Sequence, residues 1–284
     1  MPQFELGVTA IFRNVINAIS GNLSVLLKVS LLLLGLNAAL SACGLLVLGD
    51  GATGFLSAIE KVDPAELTED TIRGLLGEFF TAGQAGIIIA LILLGTLITL
   101  IALDSLTVML GAQASGKPVR APGAAFQLVK SRVFALMGLA LMTMFVKAVV
   151  NSILEGAIGG IGNPAVQQVI SLIISAILAT FLTSATAAMY LEQMTPFQAL
   201  GRSFRLGVSG FTAVFRFWLA LMIASMAAAM LMLLLLGVVG ASVGYILAGL
   251  LIAITSLMLV PACNAVIWIT LSQHHDDTPD KTIH

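Results

Sequence analysis

Residues 86–103 read GIIIALILLGTLITLIAL, without one charged side chain. At ~1.5 Å per residue a helix of that length covers ~27 Å, close to the ~30 Å hydrocarbon core of a bilayer. The run lies within a longer apolar stretch, 84–111, and five others resemble it: 23–48, 133–153, 166–191, 217–239 and 243–272. Only 10% of the 284 residues are charged, and mean hydropathy is +1.07. A soluble chain of this length needs far more Asp, Glu, Lys and Arg to cover its surface. Here lipid does the covering. The expected fold class is an all-α integral membrane protein with six transmembrane helices, forming a single membrane domain over 1–272 followed by a tail, 273–284. The first apolar run is too long for the core of a signal peptide and is read as a retained span.

The placement of cations orients the chain. Arg13, Lys28, Lys117, Arg120, Lys130, Arg132, Arg202, Arg205, Arg216 and Lys281 fall on one side of the expected spans. Lys61 and Arg73 fall on the other, in an acidic loop over 49–83 that holds Asp50, Glu60, Asp63, Glu66, Glu69, Asp70 and Glu78. By the positive-inside rule the N- and C-termini are expected in the cytoplasm of a bacterial-type inner membrane.

The spans pair into three hairpins, and each hairpin is preceded by a similar connection. The strings are Ala10-Ile11-Phe12-Arg13-Asn14-Val15, Ala124-Ala125-Phe126-Gln127-Leu128-Val129 and Arg202-Ser203-Phe204-Arg205-Leu206-Gly207, preceded by Pro2, Pro118 and Pro196. Proline is favourable in the first turn of a helix. The expectation is a cytoplasmic interfacial amphipathic helix over 4–19, 119–131 and 196–213, each leading into a hairpin, so that the chain repeats threefold. The outward loop carries one more expected helix: Asp63-Pro64-Ala65-Glu66 is a start signal, and Ile72, Leu75, Leu76, Phe79 and Phe80 recur at helical spacing. Ser171, Ser175, Ala179, Thr183 and Ala187 form a small-residue stripe on the fourth span, suited to close helix contact.

Ionisable groups within spans are costly and therefore candidates for function. Lys28 and Asp104 enter from the same side at similar depth, on the two helices of one hairpin. An ion pair between them would satisfy both; the alternatives are snorkelling of Lys28, a structural hydrogen bond at Asp104, or a relay. Lys147, Asn151 and Glu155 share one face of the third span, a candidate polar face near the outer surface. Arg13, Lys130, Arg132, Arg202 and Arg205 are expected to contact lipid headgroups. Asn37 and Asn264, near mid-span, are expected to bond between helices. Gly207-Val208-Ser209-Gly210 matches a serine-protease string, but its base would have to be a histidine, and His274, His275 and His284 all lie in the tail. Cys43 and Cys263 sit singly in apolar runs and build no metal or disulfide framework. No enzyme activity, cofactor or nucleic-acid partner is implied.

Phe12-Arg13-Asn14, the long outward loop, Ala114-Ser115-Gly116-Lys117-Pro118-Val119 and Ser203-Phe204-Arg205-Leu206 together resemble the YciC-type bacterial inner-membrane proteins. They also resemble the membrane domain attached to some glycerophosphodiester phosphodiesterases. The resemblance implies six or more spans with interfacial helices and transfers no catalytic residue. The functional expectation is a non-enzymatic accessory, assembly or scaffold component. Its partners would be anionic lipid headgroups at the cytoplasmic face and a membrane protein or second copy; the alternative is a small-solute, lipid or ion transporter or channel.

Topology is checked by thiol labelling in a background lacking Cys43 and Cys263. An impermeant reagent outside intact cells is expected to modify Ala65→Cys or Gly162→Cys and to spare Ser115→Cys and Thr278→Cys. Labelling at position 278 would overturn the six-span, both-ends-inside arrangement.

Overall fold

A computed structural model describes residues 7–59, 61–62, 68–116, 121–158, 163–239 and 241–277, and among them there is no strand. The helices are α1 (Val8–Gly21), α2 (Leu23–Leu48), α3 (Asp50–Ile59), α4 (Glu69–Phe79), α5 (Ala82–Ser115) and α6 (Pro122–Ser131). They continue with α7 (Val133–Ile158), α8 (Pro164–Leu182), α9 (Ala185–Leu191), α10 (Pro196–Ser209), α11 (Phe211–Val239) and α12 (Ala241–Asp277). Six segments are long and apolar enough to cross a membrane, namely α2, α5, α7, α8 with α9, α11 and α12. The chain is a polytopic helical membrane protein.

Several boundaries differ from the sequence expectation. The fourth span, expected as one helix over 166–191, breaks at Thr183 and Ser184, which also divides the small-residue stripe. The Thr183 hydroxyl donates to the carbonyl of Ala179, a local bond of the kind that bends or interrupts a helix. The fifth span starts at Phe211 rather than 217, because the helix expected over 196–213 ends at Ser209. The last helix runs on to Asp277 and takes in the start of the expected tail. In α6 the proline of the first turn is Pro122, whereas Pro118 and the Asp63–Glu66 start signal lie outside the described residues. α3 precedes the expected outward helix and was not foreseen.

Three corners share one geometry. α1 meets α2 at Asn22 (φ −124°, ψ 16°). α6 meets α7 at Arg132 (φ −117°, ψ 29°), and α10 meets α11 at Gly210 (φ −110°, ψ 17°). In each case one non-helical residue redirects the chain. The residue seven before the corner is buried in all three (Val15, Ala125, Ser203), as is the residue four after it (Leu26, Leu136, Val214).

Within the single membrane domain expected, contacts fall into two compact units: Met1–Ser30 with Ile101–His284, and Leu31–Leu100. In the first unit α10 packs on α7, α8, α9 and α12, while α1 packs on α11 and α12. Its core is formed by Ile11, Met109, Met189, Leu206, Phe217 and Ile267, all fully buried. Thr195 and Gln198 start α10 as a reciprocal capping box with Pro196 at its first position. Gly207 then lets α10 cross close over α8: a Cβ there would stand 3.0 Å from the carbonyl oxygen of Thr180 and 3.2 Å from the Cα of Phe181. The second unit, Leu31–Leu100, joins the later part of α2 and the earlier part of α5 to α3 and α4. Phe55 packs against Phe79 and Phe80 at centroid separations of 6.5 and 5.4 Å. Asn37 Nδ2 donates to the Leu33 carbonyl at 2.9 Å and to Thr99 Oγ1 at 3.2 Å, a bond between helices as expected.

Gly207→Val is expected to lower thermal stability by about 1–3 kcal/mol, because the Phe181 ring edge, 2.7 Å away, and the backbone of Thr180 and Phe181 together fill the space its Cβ needs. Gly201→Ala, on the same helix with open space around the new Cβ, is expected to be neutral or to stabilise by up to about 1 kcal/mol. Thermal unfolding of the purified variants separates the two.

Candidate functional site

The α9–α10 turn is where the first unit's polar groups converge. The helical break before α9 leaves the Phe181 carbonyl to be satisfied from elsewhere, and Ser203 of α10 donates to it at 2.6 Å. That commits the only proton of Ser203, so Ser184 is the donor in the 2.8 Å Ser184–Ser203 contact. At the other end of α9, Gln193 takes a positive φ of 55° to reverse the chain. Such a turn exposes carbonyls, and Arg132 answers two of them: Nη1 donates to Met189 and Nη2 to Met194, both at 2.8 Å. The same guanidinium stands 6.0 Å from the centroid of the Tyr190 ring. A planar fork holds two acceptors from one stem in a fixed geometry, which a rotating ammonium does not.

Glu192 closes the turn. Its Oε1 accepts from Trp268 Nε1 of α12 at 3.0 Å, and its Oε2 lies 3.3 Å from Arg202 Nε of α10, an ion pair without hydrogen-bond alignment. Glu192 and Arg202 are only 19% and 17% exposed, so the pair is less screened than a surface contact. Gly111 of α5 allows the junction to close, since Leu191 Cδ1 comes within 2.7 Å of where its Cβ would be. Asp104 of α5 is 7% exposed, with Thr186 of α9 within side-chain hydrogen-bonding reach. Tyr190 lies within electrostatic range of Asp104 and Arg132, and its buried hydroxyl has no hydrogen-bond partner among the described residues.

Lys28 and Asp104 are not brought together. Lys28 is exposed, whereas Leu26 and Ser30 carry the buried face of α2; two residues from either, Lys28 points the opposite way. No ion pair joins it to Asp104 among the described residues. Of the cations expected at headgroups, Arg13, Lys130 and Arg205 are exposed, but Arg132 and Arg202 are half-buried and turned to the internal partners above. Lys147 and Asn151 are exposed on α7; the side chain of Glu155 lies outside the described residues. Ser209 Oγ donates to the Leu206 carbonyl at 2.8 Å, a local helix-end bond. Tyr190, Glu192, Ser203 and Trp268 were missed in the sequence. The available signal was Glu192, a lone acid at the head of a connection carrying Arg202, Arg205 and Arg216.

No family model, curated protein or solved structure matches the chain.

Arg132→Ala is expected to destabilise the protein, because two charge-assisted hydrogen bonds of about 1.5–3 kcal/mol each are lost. Arg132→Lys is expected to recover less than half of the loss, since an ammonium cannot reach both carbonyls in one geometry. Thermal unfolding gives the magnitude. Limited proteolysis is expected to show earlier cutting at Gln193 in the Ala variant.

Proposed function

We propose that this chain is a non-enzymatic component of a bacterial-type inner membrane, acting in assembly or as a scaffold for lipids or a membrane partner, with both termini in the cytoplasm. In this reading α1, α6 and α10 are interfacial amphipathic helices, each turning through a corner into a helical hairpin, a layout like that of the YciC-type proteins. Support for the repeat comes from the matched dihedrals at Asn22, Arg132 and Gly210. It comes also from Ile16, Phe126 and Phe204, each six residues before its corner and each exposed. A helix of this kind sinks such side chains to the acyl boundary and leaves cations at the phosphates.

One observation carries the functional reading: where the polar groups are spent. Arg132, Glu192, Arg202, Ser184 and Ser203 are used up in joining α7, α8, α9, α10 and α12 into a fixed block. The helices of that block present broad apolar surface along their lengths, and on α7 Phe134 is 85% and Phe145 70% exposed. A rigid polar base carrying bare apolar helices suits the capture of lipid or foreign helices better than the passage of a hydrophilic solute. The second reading, a transporter or channel, is favoured by Asp104, a carboxylate in a span with hydroxyl neighbours.

Purified in native-lipid particles, the protein is expected to keep a stoichiometric protein partner or a defined lipid set. Reconstituted alone in liposomes, it is expected to move no ion or small solute above the leak of empty vesicles. Solute movement abolished by Asp104→Asn would replace the scaffold reading with the transporter one.

A further inference from the structure

The corner register assigns Lys28 a counterpart. Lys28 lies six residues after Asn22, and Arg216 lies six residues after Gly210. Both are exposed, both stand inside segments apolar enough to span, and neither has a hydrogen bond or ion pair among the described residues. The register explains the exposure: the residues four past each corner, Leu26 and Val214, are buried, and a further two residues turn the side chain to the far face. Six residues place each cation ~9 Å along the helix from its corner, within reach of a long flexible stem returning to the headgroups.

At the α10–α11 corner the cation has a seat. A recess of about 330 Å³ is lined by Gly7, Val8, Ser209, Gly210, Thr212 and Arg216, among others, and among the described residues Arg216 is its one charged lining side chain. Val208 of its lining and Phe204 lie on one face of α10, with exposed Arg205 next to Phe204, and Phe197 continues that face at the start of the helix. The surface thus pairs unspent positive charge with apolar side chains at a helix corner. A protein partner would have to match both features; an anionic phospholipid carries both in one molecule, a phosphate for Arg216 and an acyl chain for the apolar face.

We infer that the α10–α11 corner is a binding seat for an anionic phospholipid, with Arg216 as its phosphate contact, and that Lys28 serves the equivalent position at the α1–α2 corner. The inference rests on the membrane reading above only in placing these corners at a leaflet boundary; it does not depend on a scaffold role.

The test is thermal unfolding of the detergent-solubilised full chain, titrated with phosphatidylglycerol, phosphatidylcholine or free glycerol phosphate. Phosphatidylglycerol is expected to stabilise at lower concentration than phosphatidylcholine, and glycerol phosphate to have no effect. Arg216→Gln and Lys28→Gln are each expected to raise the phosphatidylglycerol midpoint about fivefold, and the double variant more. Both side chains are exposed, so lipid-free stability should match that of the native chain. An unchanged midpoint in Arg216→Gln, or equal stabilisation by phosphatidylcholine, overturns the inference. Stabilisation by glycerol phosphate alone does so too, since it makes the recess a site for a soluble anion. Solute transport in liposomes would sink the scaffold reading while leaving this lipid selectivity in place.

Discussion

The fork of Arg132 across the α9–α10 turn is the contact on which the rest of the first unit depends. A turn reversing the chain between two helices leaves carbonyl groups without helical partners, and in a membrane protein the cost of an unmet backbone group is high. Arg132 meets those of Met189 and Met194 while sitting at the corner that starts α7. Holding the turn also aims Glu192, which can then accept from Trp268 and face Arg202. The α8–α9 break and the α10 crossing follow the same logic. Ser203 supplies the Phe181 carbonyl with a donor, and Gly207 brings α10 near enough for that bond to form.

How much of this was legible in the sequence depends on the range of the signal. The six apolar segments were legible because span length is set by bilayer thickness, a constraint that acts on every residue of a run. The start of α10 was legible from Pro196, and the presence of α1 and α6, though not their first residues, from apolar spacing. The corners were not. Asn22, Arg132 and Gly210 share a backbone conformation but no side-chain chemistry, so nothing in their identities announces a common role. The break at Thr183 and Ser184 was hidden for a related reason: its donor, Ser203, is nineteen residues from Ser184 and on another helix.

The site was less legible than the fold, and Lys28 with Asp104 illustrates why. Equal depth along two neighbouring helices can be counted from the sequence, whereas the rotation of each helix is decided by packing. On α2 the buried positions are Leu26 and Ser30, and that choice alone turns Lys28 away. Asp104 is instead taken up on the α9 side, beside Thr186. Glu192 was visible as a lone acid among arginines, yet its two partners come from α10 and α12, a convergence that only the assembled bundle defines.

Register relative to the corner also divides the cations into two classes that composition alone cannot separate. Arg132 occupies a corner and Arg202 lies eight residues before one, next to the buried Ser203; both face the interior and are spent on structure. Lys28 and Arg216 lie six residues past their corners, opposite the buried position, and face outward. The cations that the sequence groups on one side of the spans therefore differ in what they face. One group binds backbone and carboxylate within the bundle, and the other lies opposite the buried residues of its own helix and faces outward.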